Sequence, residues 1–246
     1  MSEVVTYESD GRVALVTINR PEKRNALNNA VVEGLHAAWQ RYAAGPERTA
    51  ILTGAGTQAF SGGADLDDFP AELWRAMPGV GVVLDKPVIA ATAGWCVGGA
   101  AVLVAMCDLC IAAENTLFSY PEAKVGYCGG IIAALAVRIP HKVAMEFVLM
   151  GRPMSAERMR EAGFVNLVVP AGEQVRVARE WAAELADRAP LVVGLLKNFI
   201  SEVLPRGPAE RAGAARAALD QVNGSDDASE GAAAFREKRK PVFRGR

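Results

Sequence analysis

From Pro87 to Cys107 the chain runs almost without a polar side chain: PVIAATAGWCVGGAAVLVAMC. A run of this length could cross a bilayer, but Gly94, Gly98 and Gly99, the Pro87 start and the charged flanks Asp85, Lys86 and Asp108 oppose that reading. What remains is a buried strand beginning at Pro87, a tight turn at Gly98-Gly99 and a buried helix with small residues at helical spacing. Glycines at the head of a helix leave its first amides unobstructed, where free N–H groups and the helix dipole favour negative charge. A buried backbone anion site suits a reaction that passes through an enolate or a tetrahedral oxyanion.

A chain of 246 residues can bury a substantial core. Its net charge of -1 provides no bulk attraction to nucleic acid or anionic membranes. The start, Met-Ser-Glu-Val-Val, lacks a basic and then apolar leader pattern, so a cytoplasmic location is expected. Cys107 and Cys110 form one C-x-x-C with no second pair, and His36 and His141 lie far off in helical patterns. Zinc sites need four ligands, so Cys96, Cys107, Cys110 and Cys128 read as buried thiols and no metal is expected.

Val4 to Ser9 and Arg12 to Ile18 are β-branched segments around Asp10-Gly11, a hairpin signature. A polar loop, Asn19 to Leu27, leads to a helix capped near Asn28, with Val31, Val32, Leu35, Trp39 and Tyr42 on one face. Ala50 to Thr53 reads as a buried strand. It opens into a glycine-rich loop, Gly54 to Leu66, that is expected to enter a further helical stretch. Glycine loops alone are weak signals. Here two strand–glycine–helix units occur, one ending at Gly62-Gly63 and one at Gly98-Gly99, and backbone donors from separate units can converge on one oxygen.

Asp108 to Ala112 reads as a strand and Leu117 to Glu122 as an extended segment ending in a carboxylate. Gly126 to Gly130 then leads into an apolar helix, Ile131 to Val137. Glu122 is the only acid between Glu114 and Glu146 and lies among apolar residues; desolvation there would raise its pKa and fit it for acid–base work, whereas a solvated loop glutamate would do nothing of the kind. From His141 the pattern is helical except for a short strand at Asn166 to Val169, with a helix stop at Gly151 and a cap at Ser155. The fold class is therefore α/β, with a core over residues 1–190 and a helical region with a basic tail over 191–246.

These residues together resemble the crotonase, or enoyl-CoA hydratase/isomerase, superfamily. The likeness is carried by Asn19-Arg20-Pro21 with Asn25-Ala26-Leu27, Phe60 to Leu66, Lys86 to Ala90, Gly98-Gly99 with Cys107-Asp108, Pro121-Glu122, Gly151, Ala162-Gly163 with Val165-Asn166, and Phe235 with Glu237 to Pro241. It implies a spiral of ββα repeats, a C-terminal trimerisation region with a homotrimer or homohexamer, and an acyl-CoA thioester as ligand. Coenzyme A would enter as part of the substrate, with no separate cofactor. By the resemblance, Gly62 and Gly99 are the two oxyanion-hole amides and Glu122 is the proton-transferring acid. Arg24, Ala26, Ala64, Asp65 and Leu66 match positions lining the CoA nucleotide and pantetheine, and Lys238 a tail residue near its phosphates.

Three departures qualify the reaction and the substrate. The hydratases' first acidic position, three residues after Gly99, is Val102. Syn hydration draws on two carboxylates, whereas one suffices to move a proton between the α and γ carbons. The Asp65–Pro87 segment, which commonly walls the acyl pocket, is shorter than in the family, and Tyr127 to Ile132 replaces a Pro-Gly-x-Gly-Gly pattern. Trp95, Tyr120 and Tyr127 could face the acyl group or simply pack. The same site could serve a decarboxylase, a dehydratase, a thioester hydrolase or a non-catalytic acyl-CoA binder. RNA binding, known for one relative with a lysine-rich helix, finds only Arg41 in the corresponding stretch, so no nucleic acid partner is expected.

Overall fold

The computed structural model describes residues 3–127 and 131–246. Strands β1 (Val5–Ser9) and β2 (Val13–Ile18) form an antiparallel hairpin with Val5 opposite Ile18. The Asp10 Oδ1 atom holds the turn by accepting from the Arg12 and Val13 amides at 2.9 and 2.7 Å. β2 continues in parallel with β3 (Thr49–Gly54), followed by β5 (Val88–Thr92), β7 (Leu109–Ala113) and β10 (Leu167–Val169), in the order β1-β2-β3-β5-β7-β10. A second sheet joins β4 (Ala59–Ser61), β6 (Trp95–Val97) and β8 (Leu117–Ser119) in parallel, with β9 (Met154–Ser155) antiparallel at its edge.

The helices are α1 (Asn29–Ala44), α2 (Gly99–Met106), α3 (Glu122–Val125), α4 (His141–Met145), α5 (Ala156–Glu161), α6 (Gln174–Ala186), α7 (Pro190–Val203), α8 (Pro208–Asn223) and α9 (Asp226–Glu237). One strand in the first sheet, the next in the second sheet and then a helix make a repeating unit, seen in β5–β6–α2 and again in β7–β8–α3. This is the expected ββα repeat.

Both faces of the first sheet are covered, which is why its strands are apolar at successive positions rather than alternate ones. Ala14, Val16, Leu52, Val88, Ala90 and Ala112 face the main core with Leu35, Trp39 and Tyr42 of α1. Val13, Leu15, Ile51, Ile89, Ala91 and Ile111 face α6 instead, whose Ala178, Ala182 and Ala186 let the helix lie close against them. Asn28 caps α1 by accepting from the Val31 amide at 3.0 Å.

Several expected elements differ. The single strand read from Pro87 is two strands in two sheets, because the chain turns at Gly94. Gly94 has φ 65°, and a Cβ there would meet the Gln58 carbonyl oxygen at 2.2 Å. The Gly54–Leu66 loop contains β4 and is followed by a short 3-10 turn, Leu73–Ala76, rather than a helix. Ile131–Val137 is likewise 3-10, whereas the Cys128–Gly130 part of that prediction lies outside the described residues. The basic tail carries a further helix, α9, capped by Ser225, whose side chain accepts from the Ala228 amide at 3.1 Å. Cys96 and Cys110 are buried free thiols, and burial pushes the Cys110 thiol up to about 12. No helix among the described residues is long and apolar enough to cross a membrane.

Candidate active site

The β6–α2 turn is built on Gly98, whose φ of 56° and ψ of -120° suit glycine. Its amide donates to the Ser119 carbonyl at 2.8 Å, tying the turn to β8. The amide of Gly99, first residue of α2, has no acceptor within the helix. Residues Gly99 to Ala105 are all buried, so α2 starts at the site and ends inside the core.

The second glycine turn lies against the first. Gly63 has φ 89°, and a Cβ there would sit 2.7 Å from the Val97 carbonyl oxygen and 3.9 Å from the Gly98 Cα. Leu27 ties both turns together. Its backbone forms a parallel bridge with Ala64, its amide donating to Gly63 O at 2.8 Å while the Asp65 amide donates to Leu27 O at 2.9 Å. Its Cδ1 would lie 3.5 Å from a Cβ at Gly99, beside Leu73 from the 3-10 turn.

These bonds determine which amides stay open. The Gly62 amide donates to the Arg24 carbonyl at 2.8 Å and is thereby consumed within the protein. Over residues 62–65 the amide left open is that of Ala64, which points away from Leu27 in the parallel bridge, whereas those of Gly62, Gly63 and Asp65 are bonded within the protein. Ala64 was expected only to line the CoA moiety.

Glu122 opens α3 one residue after Pro121. Its Oε1 lies against Gly98, where a Cβ would come within 2.7 Å of it, and its Oε2 is buried without a hydrogen-bond partner. Desolvation pushes its carboxyl up to about 7, offset only in part by its own backbone amide. Val102 is buried in the main core, so the position of the first hydratase acid is apolar in space as well as in sequence.

The remaining predicted contacts divide. Arg24 is exposed beside the Ala64 loop, which its carbonyl braces, and Ala26 is half-buried next to Leu27. The Asp65 carboxylate is engaged within the protein. It is buried, its Oδ2 accepts from Arg20 Nη1 at 3.0 Å and its Oδ1 from the Asp67 amide at 3.1 Å, and the Arg20 bond holds its carboxyl below the usual range. Leu66 is 81% exposed, an apolar side chain open to a ligand. Lys238 is exposed beyond α9, and no hydrogen bond or ion pair ties it to the glycine turns. Tyr120 is buried and packs, tilted, on Phe147 at 6.3 Å, and Trp95 is exposed. Tyr127, whose amide donates to the Glu122 carbonyl at 3.2 Å, meets Phe69 edge to face at 4.8 Å, joining the Glu122 side to the loop after Asp65. Phe69 was not singled out, and only its place in the acyl-wall segment could have marked it. Among the described residues no cluster of three His, Cys, Asp or Glu could hold a metal.

The site thus consists of two glycine turns in contact, the unclaimed amides of Ala64 and Gly99, and one desolvated carboxylate. The family model for enoyl-CoA hydratase/isomerase matches residues 8–246. The chain belongs to this family. It is 36% identical over 266 residues to the carnitinyl-CoA dehydratase of Salmonella typhi, covering all of both chains. It is 32% identical over 252 residues to the probable enoyl-CoA hydratase echA8 of Mycobacterium bovis, covering 98% of each. Among solved structures, carnitinyl-CoA hydratase from Mycobacterium avium superposes with a TM-score of 0.78 at 35% identity over the whole of both chains. A probable enoyl-CoA hydratase/isomerase from Mycobacterium abscessus gives 0.77 at 38%, again over both whole chains. The fold is that of the crotonase superfamily, and the chain is an acyl-CoA-processing enzyme of that family.

Proposed function

We propose that this enzyme polarises the carbonyl of an acyl-CoA thioester with the amides of Ala64 and Gly99 and moves a proton on the resulting enolate with Glu122. The observation that carries the reading is Glu122 itself: a carboxyl raised to about 7, set against Gly98 at the head of α2, with one oxygen buried and unpartnered. At neutral pH such a group is divided between its two forms, so it can both take a proton and return one. An amide aimed at a developing oxyanion contributes roughly 10²–10³ in rate and a positioned acid–base group roughly 10²–10⁴, enough for an enzyme with one carboxylate.

With Val102 buried and apolar, the reaction that needs no second acid is allylic proton transfer between 2-enoyl- and 3-enoyl-CoA. The dehydratase reading is the second one, favoured by the relatives named carnitinyl-CoA dehydratase. Removal of an α-proton and loss of a β-hydroxyl can share one glutamate when it is protonated in the second step. Incubation with 2-enoyl-, 3-enoyl- and 3-hydroxyacyl-CoA thioesters in heavy water, followed by mass spectrometry, separates them. Isomerised product carrying deuterium supports the first, and loss or gain of water the second. Glu122→Gln should lower turnover by about 10²-fold or more; unchanged turnover removes Glu122 from the mechanism.

The CoA moiety would run past Arg24, Ala26 and Leu66, with Lys238 contributing only if the tail of this or a neighbouring chain reaches the phosphates. Assembly as a homotrimer or homohexamer is supported by α7. Its Leu191, Leu195, Leu196, Phe199, Ile200 and Val203 recur at helical spacing and are each more than half exposed.

A further inference from the structure

Arg24 and Asn25 stand consecutively in the left-handed region, at φ 52° and 55°. Residues with side chains hold that conformation only where their surroundings impose it, and asparagine tolerates it better than most. Asn25 is fully buried, and its side chain bonds only to backbone. Its Nδ2 donates to the Ala55 and Ala59 carbonyls at 2.8 Å each, and its Oδ1 accepts from the Arg20 amide at 2.9 Å. The Asn25 amide donates back to the Arg20 carbonyl at 2.8 Å. One side chain therefore fastens the 20–27 loop to both ends of the segment that leads into β4 and the glycine turn.

The left-handed pair decides which amides remain free. It directs the Arg24 carbonyl at the Gly62 amide and then delivers Leu27 into register with Ala64. The amides of Gly62 and Asp65 are used up by these contacts, and that of Ala64 is left over. Arg20 adds a second strut: its Nη1 donates to the Ala26 carbonyl at 2.7 Å and to Asp65 Oδ2 at 3.0 Å. The two side chains of that ion pair are only 13% and 10% exposed, so solvent does little to loosen it.

We propose that Asn25 and Arg20 are positioning residues: through the left-handed turn and the Asp65 pair they hold the 62–65 loop in the one register that leaves the Ala64 amide free for the thioester oxygen. This rests on the reading of the Ala64 and Gly99 amides as the oxyanion donors. Its weight comes from the sensitivity of a prealigned donor to placement, since a displacement of about 1 Å can cost roughly 10²-fold in rate.

The test is the carbonyl stretch of crotonyl-CoA labelled with ¹³C at the thioester carbon, recorded bound in a Glu122→Gln background that slows turnover. Hydrogen bonds to the oxygen move the band to lower wavenumber. Asn25→Gly keeps a left-handed backbone without strain and removes the three side-chain bonds. Asp65→Asn keeps size and shape but removes the charge facing Arg20, and serves if Asn25→Gly does not fold. Folded variants, judged by near-ultraviolet circular dichroism, should bind crotonyl-CoA within about tenfold of the parent yet lose half or more of the band displacement. With Glu122 restored, kcat should fall about 10²-fold for Asn25→Gly and about 10-fold for Asp65→Asn. A folded variant that binds with the full displacement and full kcat overturns the proposal. A parent that binds crotonyl-CoA with no displacement overturns the oxyanion reading, and the proposal with it.

Discussion

At the scale of single residues the proposed chemistry gathers on Glu122, and its burial has a cost that can be measured. Its carboxyl stands near 7 in the folded chain against an ordinary value of 4.5, because desolvation penalises the charged form. The folded state therefore binds more protons than the unfolded one between those values, and the group lowers stability as pH rises through them. Glu122→Gln removes the burden. The variant should match the parent below about pH 4.5 and exceed it increasingly up to about pH 7. Above that it should be more stable by about 1–2 kcal/mol, discounted for partial solvent access. Urea unfolding at pH 4.5 and pH 8 checks the sign, and equal midpoints at pH 8 would show that the carboxylate is well solvated. If Glu122 takes the proton in the first step, kcat/KM of the parent should rise with pH through the same value near 7. The acid could be picked out in the sequence as an isolated carboxylate in an apolar stretch. Its apposition to Gly98 could not, because that contact joins α3 to a turn more than twenty residues earlier.

At the scale of elements the β6–α2 turn is the most constrained piece of the site. Gly98 combines a positive φ with a carboxylate oxygen where a Cβ would stand. Gly98→Ala should therefore strain the backbone by about 1–3 kcal/mol and push Glu122 aside. Turnover should fall by about 10²-fold, with a visible loss in thermal midpoint. An alanine variant of undiminished activity would place the working carboxylate elsewhere. By contrast Gly79, with φ 76° but nothing within 4 Å of a Cβ, should lose only the backbone term on substitution by alanine. The paired glycines were visible in the sequence as two strand–glycine–helix units. Which of their amides is free was not, since Gly62 is satisfied by the Arg24 carbonyl on a different loop.

For the whole molecule, the C-terminal helices set the remaining question. α7 is anchored by Lys197, whose Nζ donates to the Lys86 carbonyl and to Asp108 Oδ2 at 2.8 Å each, while none of its residues is buried. Between α7, α8 and the end of α2 lies a cleft of about 1150 Å³, lined by Trp74, Val104, Cys107, Arg138 and Glu210. Its lining includes neither Gly62-Gly63, Gly98-Gly99 nor Glu122, so this cleft is distinct from the proposed chemistry. An apolar face of this extent is covered by association in the trimer reading, each large side chain contributing roughly 1.5–3 kcal/mol on burial. Replacing Leu195 and Phe199 together by aspartate should convert an oligomer into single chains in sedimentation velocity while leaving the circular dichroism of the fold unchanged. A parent that already sediments as one chain refutes the assembly.

The sequence by itself determined the hairpin, α1 with its Asn28 cap, the buried α2 and the isolated Glu122. Each depends on local periodicity, capping chemistry or composition, which neighbouring residues carry between them. Only the tertiary structure decided that the apolar run from Pro87 divides between two sheets at Gly94. It alone showed that Asp65 is occupied by Arg20, and that Ala64 rather than Gly62 keeps an open amide. Those outcomes depend on hydrogen-bond partners far away in the chain: an amide is a donor to substrate only if no carbonyl reaches it first, and that competition takes place in three dimensions.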